Sequence, residues 1–74
     1  MTKEEFKSVR EKLKLSREEI AELLAMSGYS AVANIELGLR NPGKLTAKFL
    51  RYLNAMPKAQ AKKIIEEFNE YDSN

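Results

Sequence analysis

Residues 15–42 read Leu15-Ser16-Arg17-Glu18-Glu19-Ile20-Ala21-Glu22-Leu23-Leu24-Ala25-Met26-Ser27-Gly28-Tyr29-Ser30-Ala31-Val32-Ala33-Asn34-Ile35-Glu36-Leu37-Gly38-Leu39-Arg40-Asn41-Pro42. Ser16 with Glu19 three residues on is the signature of a capping box, so a helix is predicted to open there. Ile20, Leu23 and Leu24 give it a buried face, with Ala21 where another helix comes close. It stops near Ala25-Met26. Ser27 is predicted to cap the next helix, which runs to about Leu37. Val32 and Ile35 are its inward residues, and Gly38 falls where a C′ glycine ends a helix.

The same spacing continues on both sides. Thr2 with Glu5 predicts a second capping box, opening a helix from Lys3 to about Leu13 with Phe6, Val9 and Leu13 as its stripe. After the Pro42-Gly43 punctuation a helix starts at Leu45 or Thr46, turns Phe49, Leu50 and Leu53 inward, and breaks at Pro57. The last helix is predicted from about Lys58 to Tyr71, with the stripe Ala61, Ile64, Ile65, Phe68 and Tyr71. No stretch alternates as a half-buried strand would. The expectation is an all-α, compact five-helix domain over residues 1–74, with two short helices and their turn at about 16–38 and a C-terminal helix at about 58–71.

Composition bounds the function. The chain has 74 residues, enough for one domain, and 43% hydrophobic residues at a net charge of +2, too apolar for a disordered chain. It has no histidine and no cysteine. That removes the commonest general base, the commonest metal ligands and any disulfide. No apolar run approaches the ~20 residues of a membrane span, and the charged start Met1-Thr2-Lys3-Glu4-Glu5 lacks a signal peptide's apolar stretch. The expectations are no enzyme activity, no metal, no cofactor, no membrane, and a cytoplasmic location. Charge is uneven: from Leu37 to Lys63 there are Arg40, Lys44, Lys48, Arg51, Lys58, Lys62 and Lys63, and no acid.

Two short helices across a tight turn have the outline of a helix-turn-helix. The second helix must enter the DNA major groove, about 12 Å wide, while a few apolar residues anchor its inner side. Val32 and Ile35 supply the anchor. Tyr29, Ser30, Ala33 and Asn34, small or polar and none acidic, are the candidates for base contact. An Asn amide has the donor and acceptor that an adenine edge presents. Arg40 and Asn41 in the following loop, with Lys44, Lys48 and Ser27, are the candidates for phosphate contact. Ile64, Ile65, Phe68 and Tyr71 are many large apolar residues for the end of so small a domain, and predict a homodimer interface.

The pattern resembles the lambda repressor and Cro, or XRE, family of helix-turn-helix domains. The resemblance covers roughly residues 6–56. It rests on Leu15-Ser16-Arg17-Glu18-Glu19-Ile20-Ala21-Glu22-Leu23-Leu24, Ser27, Val32, Ile35-Glu36-Leu37-Gly38, Arg40 and Pro42. This chain departs from the family in having Ala25 where the turn usually opens on Gly, and one extra residue between Ala21 and Gly38, which Gly28 is expected to absorb. The resemblance implies a sequence-specific regulator that binds double-stranded DNA, acting as a dimeric repressor on an inverted-repeat operator in a bacterial or phage setting. It also implies that Arg17 lies near the DNA backbone and that Arg10 pairs with Glu36. The alternative is an antitoxin-type module that binds a toxin or other protein partner and autoregulates its operon.

Overall fold

Ser16 and Thr2 open helices by the same device carried to different degrees. The Ser16 hydroxyl accepts from the Glu19 N–H at 3.0 Å, and the Ser16 N–H donates to the Glu19 carboxylate at 2.8 Å, so the box closes. The Thr2 hydroxyl accepts from the Glu5 N–H at 3.1 Å. The Glu5 carboxylate instead binds Arg51, at 3.0 Å for each of two bonds, tying the first helix to the fourth. Half of the expected box is thus traded for a tertiary ion pair.

The computed structural model of the chain describes residues 1–71, and Asp72, Ser73 and Asn74 lie outside the described residues. The helices are α1 (Lys3–Lys12), α2 (Arg17–Leu23), α3 (Tyr29–Glu36), α4 (Lys44–Asn54) and α5 (Lys58–Phe68), with no strand among the described residues. None is long and apolar enough to cross a membrane. The radius of gyration is 11.5 Å, close to the ~11 Å of a globule of this length.

One continuous core holds the helices. Phe6 and Val9 of α1, Ile20 and Ala21 of α2, Val32 and Ile35 of α3 and Leu50 of α4 form its larger part. Leu23, Leu53 and Ile65 form a second cluster, and Leu13 and Leu15 pack against both. Burying a Val, Leu, Ile or Phe side chain stabilises by roughly 1.5–3 kcal/mol each, which for so small a domain is the main favourable term.

Three further expectations are corrected. Ser27 does not cap α3: Gly28 holds the N-cap position and no side chain caps that end. Gly28 has φ 149°, a conformation L side chains rarely adopt, so the chain enters α3 through the one residue free to take that turn. Next, α5 ends at Phe68, so Tyr71 lies beyond the helix. Last, Ile65 faces the chain's own core, only 8% exposed, and is unavailable to a partner. The turn after α2 runs through Ala25 at φ 54°, the strained position the sequence places there, and Gly38 follows α3 at φ 82°.

Candidate functional site

Val32 and Ile35 are buried and fix the rotation of α3. That rotation leaves Tyr29 and Ser30 exposed and Ala33 and Asn34 half-buried along the outer side. Up to Glu36 the helix carries no charge, so its outer side offers hydroxyls, an amide and methyl groups. The chain then folds back over the helix end. The N–H groups of Leu39 and Arg40 both donate to the Asn34 carbonyl, at 2.9 and 3.3 Å, and Gly38 N–H donates to the Ile35 carbonyl at 3.0 Å. These bonds hold Arg40 beside α3.

Ser27, Arg40 and Asn41 line one shallow depression with Met26, Ala31, Ile35 and Pro42. Lys44 and Lys48 flank a second one with Pro42, Ala47 and Arg51. Five of the expected phosphate-contact residues are therefore grouped around the loop that follows α3. Of the rest of the acid-free run, Arg51 lines the second depression and pairs with Glu5, while Lys58 and Lys62 lie elsewhere. Lys58 and Lys62 line a groove of about 530 Å³ between α5 and the α1–α2 turn, whose lining holds Glu19, Glu22 and Glu66 as well as Lys12 and Lys14. An acid-free stretch of sequence is thus only partly an acid-free surface.

Glu36 is the electrostatic hub. Its carboxylate accepts from Arg10 Nε at 2.6 Å and Nη2 at 3.2 Å, and from Arg17 Nε at 3.1 Å. The Glu36 side chain is 5% exposed and that of Arg10 is 11% exposed. Arg10 also donates to the Leu15 carbonyl at 3.0 Å, linking α1 to the start of α2. Burial opposes ionisation of Glu36 and is the largest single influence on it. The hydrogen bonds and charges of the two guanidiniums together outweigh it, and the carboxyl sits below its ordinary 4.5.

The sequence did not show that Arg17 shares this carboxylate. Besides Glu36, Arg17 donates to the Tyr29 hydroxyl at 3.2 Å, and its guanidinium lies 5.5 Å from the centre of the Tyr29 ring. These partners, Glu36 first, raise its pKa further. The start of α2, the start of α3 and the end of α3 are thereby tied to one another through three side chains. The spacing of Arg17 from Tyr29 carried no signal of this, because the pair meets only once α2 packs on α3.

The apolar residues assigned to a partner are divided. Ile65 is in the core, Ile64 is half-buried against the second cluster, and Phe68 lies against Phe49 with ring centres 5.1 Å apart while remaining 48% exposed. Tyr71 is exposed. Comparison with protein-family models, with curated proteins and with solved structures gives no match for this chain.

Proposed function

We propose that this chain is a sequence-specific double-stranded DNA-binding transcriptional regulator of the lambda repressor and Cro type. Its fold would be that of a lambda-repressor-like helix-turn-helix domain, with α2 and α3 as the motif and α3 as the recognition helix. The observation that carries the reading is the outer side of α3, uncharged up to Glu36 and bordered by Ser27, Arg40, Asn41, Lys44 and Lys48. A convex helix of this kind suits the major groove, and the basic border suits the phosphates on either side. Tyr29, Ser30, Ala33 and Asn34 would meet base edges. Arg17 would approach the backbone with the donors it does not give to Glu36 and Tyr29. The regulator would act as a homodimer on an inverted repeat, with recognition helices about 34 Å apart, and would repress by occupying a promoter.

The test is binding to a site selected from random DNA, compared with scrambled DNA over a range of salt. Asn34→Ala is expected to cost roughly 1–3 kcal/mol on the selected site and little on scrambled DNA, since base contacts carry sequence information. Lys44→Ala is expected to weaken both similarly and to make the slope of log K against log salt shallower by about one unit. No selectable site, or no fall in affinity as salt rises, overturns the reading.

A further inference from the structure

Gly38 is constrained by more than its φ of 82°. A Cβ placed there would lie 3.1 Å from Lys3 Cδ and 3.6 Å from Lys3 Nζ, so the Lys3 side chain lies directly over this glycine. Only a residue without a side chain gives room to that stem and to the left-handed turn at once. Lys3 is the first residue of α1, and two more contacts hold the start of that helix in place. The Glu5 carboxylate accepts two bonds from Arg51 of α4, each at 3.0 Å. Met1 lines the depression that Lys44 and Lys48 share with Pro42. The start of α1 is thus docked along the loop that carries Arg40 and Asn41.

We propose that Lys3 is a further phosphate contact, so that the first turn of α1 belongs to the DNA-binding surface. Lys3 is exposed and makes no ion pair among the described residues. Its charge has the wrong sign for its own helix. A first turn favours acids, here Glu4 and Glu5, and a cation there opposes the helix dipole. The benefit of this ammonium therefore lies outside α1. Arg51, nearby on α4, already has its guanidinium engaged by Glu5. Lys3 joins Arg40, Lys44 and Lys48 as cations that no carboxylate pairs with among the described residues. Together they border the loop after α3, as the phosphates of a duplex border the groove that α3 would enter. The inference rests on the DNA-binding reading above and extends its surface to a helix outside the α2–α3 motif.

The experiment is titration of the full chain with duplex DNA at several salt concentrations, beside lysine-reactivity mapping with an amine acetylating reagent. Lys3→Ala is expected to weaken binding a few-fold, equally on selected and scrambled duplexes. It should make the slope of log K against log salt shallower by about 0.9 unit, the share of one phosphate. Lys3→Arg should keep the wild-type slope, because a cation is all the contact requires. Lys12→Ala, at the far end of α1, should leave the slope unchanged. DNA should protect Lys3 of the wild type from acetylation and leave Lys12 reactive. A slope that Lys44→Ala lowers and Lys3→Ala does not overturns this inference while the DNA-binding reading stands. So does Lys3 acetylated equally with and without DNA. A lower Tm for Lys3→Ala with an unchanged slope also overturns it, and assigns the ammonium to the carbonyl end of α3 instead. A wild type that binds no duplex at any salt concentration overturns both readings.

Discussion

Glu36 shows what a single side chain contributes when two cations depend on it. Removing it leaves Arg10 charged, nearly buried and short of its carboxylate. Glu36→Ala should therefore lower stability by about 3–5 kcal/mol, the range for breaking a buried pair by deleting one partner, measured by urea unfolding. The same carboxylate links stability to pH. Its folded pKa lies below the ordinary 4.5, so its contribution is present above about that value and lost as pH falls through the folded pKa. Acid unfolding profiles of the wild type and Glu36→Gln should differ in that window, the wild type falling more steeply. Ala25 is a residue-scale cost of the opposite sign. Its φ of 54° suits glycine, so Ala25→Gly should stabilise by about 1 kcal/mol or less once glycine's extra chain entropy is counted. A higher Tm for that variant is the check.

At the scale of elements, the two candidate serine caps make opposite predictions. Ser16 satisfies an orphan N–H of α2 and closes a full box with Glu19. Ser16→Ala should cost about 1 kcal/mol. Ser27 precedes Gly28 and bonds to nothing at the start of α3. Ser27→Ala should change stability by less than about 0.5 kcal/mol, as exposed positions away from special features do. Both are read from the shift of the urea midpoint at constant slope. A serine before a helical run is a good sign of a cap in sequence, but Gly28 takes the turn conformation that no other residue type adopts cheaply, and so takes the N-cap position from its neighbour.

For the whole molecule, α5 is held to the rest by one face and offers another to solvent. Ile65→Ala opens a hole beside Leu23 and Leu53 and should cost about 2–5 kcal/mol, enough to unfold much of a domain this small. Phe68→Ala removes a half-exposed ring that leans on Phe49. It should destabilise the monomer far less while lowering self-association. Thermal melts at low concentration, paired with sedimentation at high concentration, separate the two. Residues three apart on one predicted stripe thus fall on different sides of the same helix's contact with the core.

Helical periodicity, the Ser16–Glu19 box and the punctuation at Gly38, Pro42 and Pro57 made five helices and most of their buried residues legible in the sequence. Each of these depends on neighbours within a turn or two, and local chemistry survives folding largely unchanged. Ala25 and Gly38 were legible for the same reason, since a backbone conformation is a property of one residue and its turn. The resemblance to a known family implied the pairing of Arg10 with Glu36, and the structure has it at 2.6 Å. Tertiary structure alone decided that Arg17 joins Glu36 and Tyr29, that Glu5 leaves Thr2 for Arg51, and that Ile65 turns inward while Phe68 stays half-exposed. It also decided that Phe49 meets Phe68 across two helices, and that Lys58 and Lys62 line a groove together with Glu19 and Glu22 rather than extend the basic border of α3. Each of these depends on how one helix packs against another, and residues that lie far apart along the chain acquire a distance only when that packing is made.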